Sequence, residues 1–249
     1  MMYQIIADYH THTRYSHGKG SIEDNVLAAR KKGLEKIAIT DHGFGHIGFG
    51  IKHNDVDKMR EEVQRLNDKY SDIEILLGVE SNLIGLDGTI DIPDEYIDKF
   101  DIMLMGFHKG AMPKSFKDAI KLYAGNFVSG ILPIDKEKIR LQNTQAMIRA
   151  IYKYPIKIIT HPGAKIDIDT KLLAQHAAKR NVALEINASH GFMTAEYVKI
   201  ALKEGASFVI NSDAHHPSRV GDFERAIEIA LAAGLDPDRI INTRTAKVT

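Results

Sequence analysis

The chain has 249 residues, 44% apolar and 27% charged, the length and core capacity of one α/β unit, which excludes a peptide, a fibre or a multidomain machine. No apolar run approaches the roughly 20 residues of a membrane span, and with 33 Lys and Arg against 33 Asp and Glu no global positive field draws the molecule onto a phosphate polymer. The absence of cysteine excludes disulfides, thiolate metal sites and a cysteine nucleophile, and the start, MMYQIIADYH, lacks the long apolar stretch of a secretory signal, so a cytoplasmic location is expected.

Residues 3–9, YQIIADY, form a short apolar run, and 35–40, EKIAIT, repeat the pattern after Gly33; both predict buried strands. Between them Ser21, followed three residues later by Asp24, resembles a capping box, and Ile22, Val26, Leu27 and Ala29 give a helical stripe. Asn54 is the expected cap of an amphipathic helix carrying Val56, Met59, Val63 and Leu66, and 73–79, IEILLGV, predicts the third strand. The fourth is 101–107, DIMLMGF. Residues 109–134, with Gly110, Pro113, Gly125, Gly130 and Pro133, predict an irregular excursion containing one short helix at 116–124. Helix 135–152 then leads to strand 156–160, helix 168–179, strand 182–187, helix 194–204, strand 207–211 and helix 221–233. Seven strands alternating with helices and no linker predict a single domain over 1–249, a parallel (β/α) barrel rather than a doubly wound sheet.

In such barrels the reacting groups sit at the C-terminal ends of strands. The first strand ends in Asp8-Tyr9-His10-Thr11-His12 with His17 close behind, the second in Asp41-His42, the third in Glu80, the fourth in His108, the fifth in His161 and the seventh in Asp213-Ala214-His215. His10 and His12, two residues apart on extended chain, face the same way, as two ligands of one ion require. A lone histidine is more often a surface or core group, but nine such groups from six segments meet only if the barrel brings their ends to one mouth. Imidazole and carboxylate without thiolate suit zinc, manganese or iron, and nine donors exceed what one ion uses. Only the sixth strand end, with Glu185, Asn187 and His190, has no assigned ligand.

The runs His10-Thr11-His12-Thr13, Thr40-Asp41-His42, Gly78-Val79-Glu80, Gly106-Phe107-His108, Thr160-His161-Pro162-Gly163 and Ser212-Asp213-Ala214-His215 resemble the successive motifs of the polymerase and histidinol phosphatase (PHP) family. The resemblance covers essentially the whole chain. It implies a distorted (β/α)7 barrel with three divalent ions: one held by His10, His12, Glu80 and Asp213, a second by Glu80, His108 and His161, and a third by His17, His42 and His215, with Glu80 bridging.

Paired metals that share a water and clamp both oxygens of a displacement suit phosphoester hydrolysis, with a metal-bridging hydroxide as the expected nucleophile. Asp213, or a water near His215, is the candidate to protonate the leaving group, and Arg14, Lys109 and Arg219 are candidates to bind substrate oxygens. The leading expectation is a phosphatase acting on a small phosphorylated substrate. A metal-dependent exonuclease is the less favoured alternative, since its nucleic-acid track would have to come from Lys109, Lys114, Lys117 and Lys121. An amidohydrolase-like enzyme is a further rival, without a metal-bridging lysine at a strand end, and a non-catalytic metal-stabilised scaffold is the last. Asp8 is expected to orient an imidazole, Asp41 to orient one or equally to cap the following turn, and His46 and His53 lie in or beside a glycine-rich loop, 43–52, able to close over substrate. His176 and His216 are expected to be bystanders.

Overall fold

The computed structural model describes residues 3–124, 126 and 135–244. Strands β1 (Ala7–Asp8), β2 (Lys36–Ile39), β3 (Glu74–Asn82), β4 (Ile102–Gly106), β5 (Ile158–Ile159), β6 (Ala183–Asn187) and β7 (Phe208–Asn211) form one sheet in chain order, and every neighbouring pair is parallel. The expected seven-stranded (β/α) barrel is present, with helices covering its outer face. Alternation along each strand sorts the side chains. Met103, Met105, Leu184, Phe208 and Ile210 join the large core between sheet and helices. Leu104, Ile158, Ala183 and Val209 form a second, small apolar cluster. Glu80 pairs in register with Leu104, and Glu185 with Val209, so the interior turns from apolar to polar towards the C-terminal ends.

The helices form for reasons legible in their sequences. Ile22–Lys31 opens with a complete capping box between Ser21 and Asp24, Thr170–Arg180 stops at Asn181 in the left-handed region, and Glu224–Ala233 stops at a left-handed Gly234. In Val56–Lys69 the stripe Val56, Met59, Val63 and Leu66 is buried as expected, but the cap position falls on Asp55, since Asn54 lies in a preceding 3-10 turn, His53–Asp55. The predicted helix at 116–124 is one α-turn, Phe116–Asp118, continued as the π-helical turn Ala119–Ala124; Gly125, Gly130 and Pro133 lie outside the described residues. Among the described residues no helix is long and apolar enough to cross a membrane.

Three strands differ from expectation. β3 runs on to Asn82, which puts Glu80 inside a strand rather than at its end. β5 is only two residues long. β1 is equally short because the segment before it is shared with the C-terminal segment: Ile5 bridges Thr243 antiparallel, and the Ile6 N–H donates to the Asn242 carbonyl at 2.9 Å while its carbonyl accepts from the Glu35 N–H at 2.8 Å. That segment fills the base of the seam between β1 and β7. The Asn242 side chain donates to the carbonyls of Ala7 (2.8 Å) and Ile210 (2.6 Å) and accepts from the Ile210 N–H at 3.1 Å. At the top the barrel closes through a Thr11–Ala214 bridge and the His12 N–H donating to the Ala214 carbonyl at 2.8 Å.

Candidate metal centre

Because Thr11 turns away to donate to the Ala38 carbonyl at 2.8 Å, its neighbours His10 and His12 both face the barrel interior. There they meet Glu80, which is fully buried and stands at the middle of the cluster. Its Oε2 lies 3.3 Å from His10 Nε2, 3.7 Å from His12 Nε2 and 2.9 Å from His42 Nδ1. Its Oε1 lies 3.5 Å from His108 Nε2 and 3.0 Å from His161 Nε2. Asp213 Oδ1 is 3.5 Å from His10 Nε2, 3.3 Å from His12 Nε2 and 3.5 Å from His215 Nδ1. The His17 ring completes the group, with centroids 4.9 Å from His42 and 4.2 Å from His215. All nine residues named from the sequence therefore meet at one mouth, at the edge of a cavity of about 580 Å³.

Several of the atoms that meet there lack a hydrogen bond. His10 Nε2, both ring nitrogens of His12, His17 Nδ1, His42 Nδ1 and Glu80 Oε2 are buried without a hydrogen bond. A native protein leaves few such groups, because each costs about 1–3 kcal/mol. Two donors about 2.0–2.1 Å from a tetrahedral ion stand about 3.3 Å apart. The separations of 3.3 Å and 3.5 Å around Glu80 and Asp213 are of that size and longer than charge-assisted hydrogen bonds. The residues present thus fit divalent cations: His10, His12 and Asp213 form one donor group, His42, Glu80 and His108 another, and His12, His42 and His215 a third.

Charge in the metal-free site is arranged accordingly. Burial disfavours ionised Glu80 and Asp213, but the surrounding imidazoles, His108 and His10 for Glu80 and His10 and His12 for Asp213, hold both carboxyls well below their ordinary values. Burial, with His42 adding repulsion, holds His12 well below the usual imidazole value. His108 is lowered likewise by burial, against the pull of Glu80. His17 falls to about 4 through burial and the proximity of His215 and His42. His12, His17 and His108 are thereby kept neutral, the form that binds metal.

Outer partners aim these donors. His10 Nδ1 pairs with Glu185 Oε1 at 2.7 Å and His108 Nδ1 with Asn82 Oδ1 at 2.7 Å, leaving each Nε2 to face inward. Glu185 is the functional residue that sequence reasoning underweighted. It also accepts from the His161 N–H at 2.7 Å, from Asn211 Nδ2 at 2.9 Å and from Asn187 Nδ2 at 2.8 Å. Its signal was a carboxylate flanked by apolar residues, Leu184 and Ile186, in the strand ALEIN. His161 and Asp213 have φ of 30° and 54°, left-handed geometry costing about 1–3 kcal/mol at a non-glycine residue; the Glu185 bond to the His161 N–H helps to hold the first.

Other expectations change. Asp8 touches no imidazole ring: its carboxylate accepts from Ser212 N and Oγ and from Gly221 N, tying β1 to the loops after β7. Asp41 likewise orients no ring and instead accepts from Thr13 N and Oγ1 and from Ser16 Oγ, pinning the loop that carries His17. His46 lines the cavity, stacked 4.9 Å from His42, whereas His53 stacks on Phe44 at 4.0 Å. The basic residues on the cavity wall are Lys19 and Lys165. Arg14 is exposed, Lys109 lines an adjoining pocket that shares Lys165, and Arg219 pairs with Asp222 at 2.8 Å. His176 is near Tyr152, and His216 caps the turn Pro217–Arg219.

Residues 8–205 match the model of the PHP domain family. A probable phosphatase of Shewanella piezotolerans is 32% identical over 96% of this chain and 90% of its own length. The probable phosphatase YcdX of Escherichia coli is 31% identical over 97% and 90%. Among solved structures, histidinol phosphate phosphatase from Lactococcus lactis, complexed with zinc, L-histidinol and phosphate, superposes with a TM-score of 0.64 at 16% identity, covering 94% of this chain and 95% of the other. A putative histidinol phosphatase from Listeria monocytogenes gives 0.62 at 17% identity, covering 86% and 97%. These last two establish the fold. Barrel, donor cluster and relatives together define the class, a metal-dependent phosphoric ester hydrolase. The chain belongs to the PHP domain family, as its motifs led one to expect.

Proposed function

We propose that the protein is a phosphatase that hydrolyses a small phosphomonoester, using three divalent ions drawn from zinc, manganese or iron. The observation that carries this reading is the convergence of buried, unpartnered nitrogen and oxygen atoms from His10, His12, His17, His42 and Glu80 beside Asp213 at an open cavity. His10, His12, Glu80 and Asp213 would hold one ion, Glu80, His108 and His161 the second, and His17, His42 and His215 the third. When bound, such ions would supply Lewis acidity and lower the pKa of a water between them, whose hydroxide would be the nucleophile.

The chain's own side chains do the rest. Lys19 and Lys165, from the loops after β1 and β5, bind phosphoryl or leaving-group oxygens in place of Arg14, Lys109 and Arg219. Asp213, or a water near His215, would pass on the proton that the departing oxygen needs. A small substrate fits a cavity of about 580 Å³. The nuclease reading has less support: Lys114, part of its basic track, is paired with Asp87 at 2.5 Å.

The test is hydrolysis of p-nitrophenyl phosphate before and after chelation. Activity should vanish with the metal and return with manganese or zinc, and undiminished turnover in excess chelator would refute the metal-dependent reading. Preferential digestion of a single-stranded oligonucleotide over a panel of phosphorylated metabolites would instead favour the nuclease.

A further inference from the structure

The loop after β6 carries a histidine that the ligand scheme above does not use. His190 lines the cavity, and its Nε2 lies 3.4 Å from Asp213 Oδ2. Its ring stands edge-on to His161, with centroids 5.0 Å apart. Donor atoms of His161, His190 and Asp213 all fall within 4.8 Å of one another. We propose that His190 is a metal-binding residue of this protein, joining the second ion, that of His161, with Asp213 shared between it and the first. The proposal rests on the metal-dependent reading of the site.

Three observations support it. First, the separation is wrong for a hydrogen bond and right for a shared ion: a charge-assisted N–H···O contact closes to about 2.7–2.9 Å, whereas two ligands of one tetrahedral ion stand about 3.3 Å apart. Secondly, the two oxygens of Asp213 face different imidazoles. Oδ1 faces His10 and His12 at 3.5 Å and 3.3 Å, and Oδ2 faces His190, so one carboxylate can serve two ions. Thirdly, the turn is built to present the ring. Asn187 Oδ1 accepts from the N–H groups of Ser189 and His190, both at 2.9 Å, while its Nδ2 donates to Asp213 Oδ2 at 3.1 Å. With His190 included, the C-terminal end of every strand contributes a donor.

Direct detection uses the full-length protein labelled with 15N-histidine and loaded with 113Cd. The His190 ring signal, assigned by its loss in His190→Gln, should be split by one-bond coupling to cadmium. An unsplit His190 signal, with other histidine signals split, overturns the proposal while leaving the metal site intact. No split signal from any histidine removes the metal-dependent reading itself, and this proposal with it. In parallel, His190→Gln and His190→Ala should weaken zinc binding at one ion by at least the roughly 10–100-fold that loss of an outer partner causes, with the remaining ions retained. Unchanged stoichiometry and affinity in both variants would count against it, and His176→Ala, on the far helix beside Tyr152, supplies the unaffected control.

Discussion

At the scale of single residues, the site depends on groups that touch no substrate. Glu185 bonds His10, His161, Asn187 and Asn211 at once, so exchanging its carboxylate for an amide disturbs several donors together. Glu185→Gln should lower metal affinity by about 10–100-fold and stability by about 1–3 kcal/mol, because the buried His10 Nδ1 and the amides lose a charged acceptor. A zinc titration and a denaturant melt that both match the parent would remove this role. Asp213→Ala deletes a proposed ligand outright, and phosphate release should fall by at least about 100-fold, on the order of losing one preorganised stabilising group in an active site, with the circular dichroism spectrum unchanged.

At the scale of elements, the ends of β3, β4 and β5 must approach closely. The Thr160 hydroxyl donates to Glu80 Oε1 at 2.7 Å, and Gly106 lies directly beneath that bond. A methyl group at Gly106 would collide with Thr160 Oγ1 and press against Glu80 Oε1 at 3.2 Å. Gly106→Ala should therefore cost activity far more than stability. A variant with parental turnover would mean that the ends of these strands can spread without displacing Glu80. The sequence placed every strand but mistook several ends, because apolar runs record burial and not pairing. Ile5 and Ile6 are apolar like Ala7, yet Ile5 bridges the C-terminal segment, and Ile6 donates to that segment while its carbonyl accepts from the start of β2.

Across the whole molecule, the ions and the fold are linked. A ligand present at 100 times its dissociation constant adds about 2.7 kcal/mol to stability, so zinc or manganese should raise the melting temperature and a chelator lower it. The metal-free protein should also weaken on acidification. His12, His17, His46, His108, His190 and His215 all titrate below the ordinary imidazole value of 6.5. Below that pH the unfolded chain therefore binds more protons than the native one, and stability falls as pH drops towards about 4, where His17 titrates. Depressed Glu80 and Asp213 act in the same direction at lower pH. His10 opposes them: burial would lower it, but Glu185, Asp213 and Glu80 hold it well above its usual value, giving stability that is lost as pH rises; Asp8, raised to about 6 by burial, and Asp41 and Asp91, raised likewise, oppose them too, in smaller number than the lowered groups. A melting temperature of the chelated protein that stays flat from pH 7 to pH 5 would contradict this balance.

The seven alternating strands and the convergence of His10, His12, His17, His42, Glu80, His108, His161, Asp213 and His215 at one mouth were legible in the sequence, because hydrophobic periodicity and strand-end chemistry are local properties of the chain. The partners of those donors were not. That Glu185 faces His10, that Lys19 and Lys165 line the cavity wall instead of Arg14 and Arg219, and that residues 240–243 seal the seam between β1 and β7 depend on contacts between segments as many as 235 residues apart. Such contacts arise from barrel closure, and no local pattern encodes which side chains closure brings face to face.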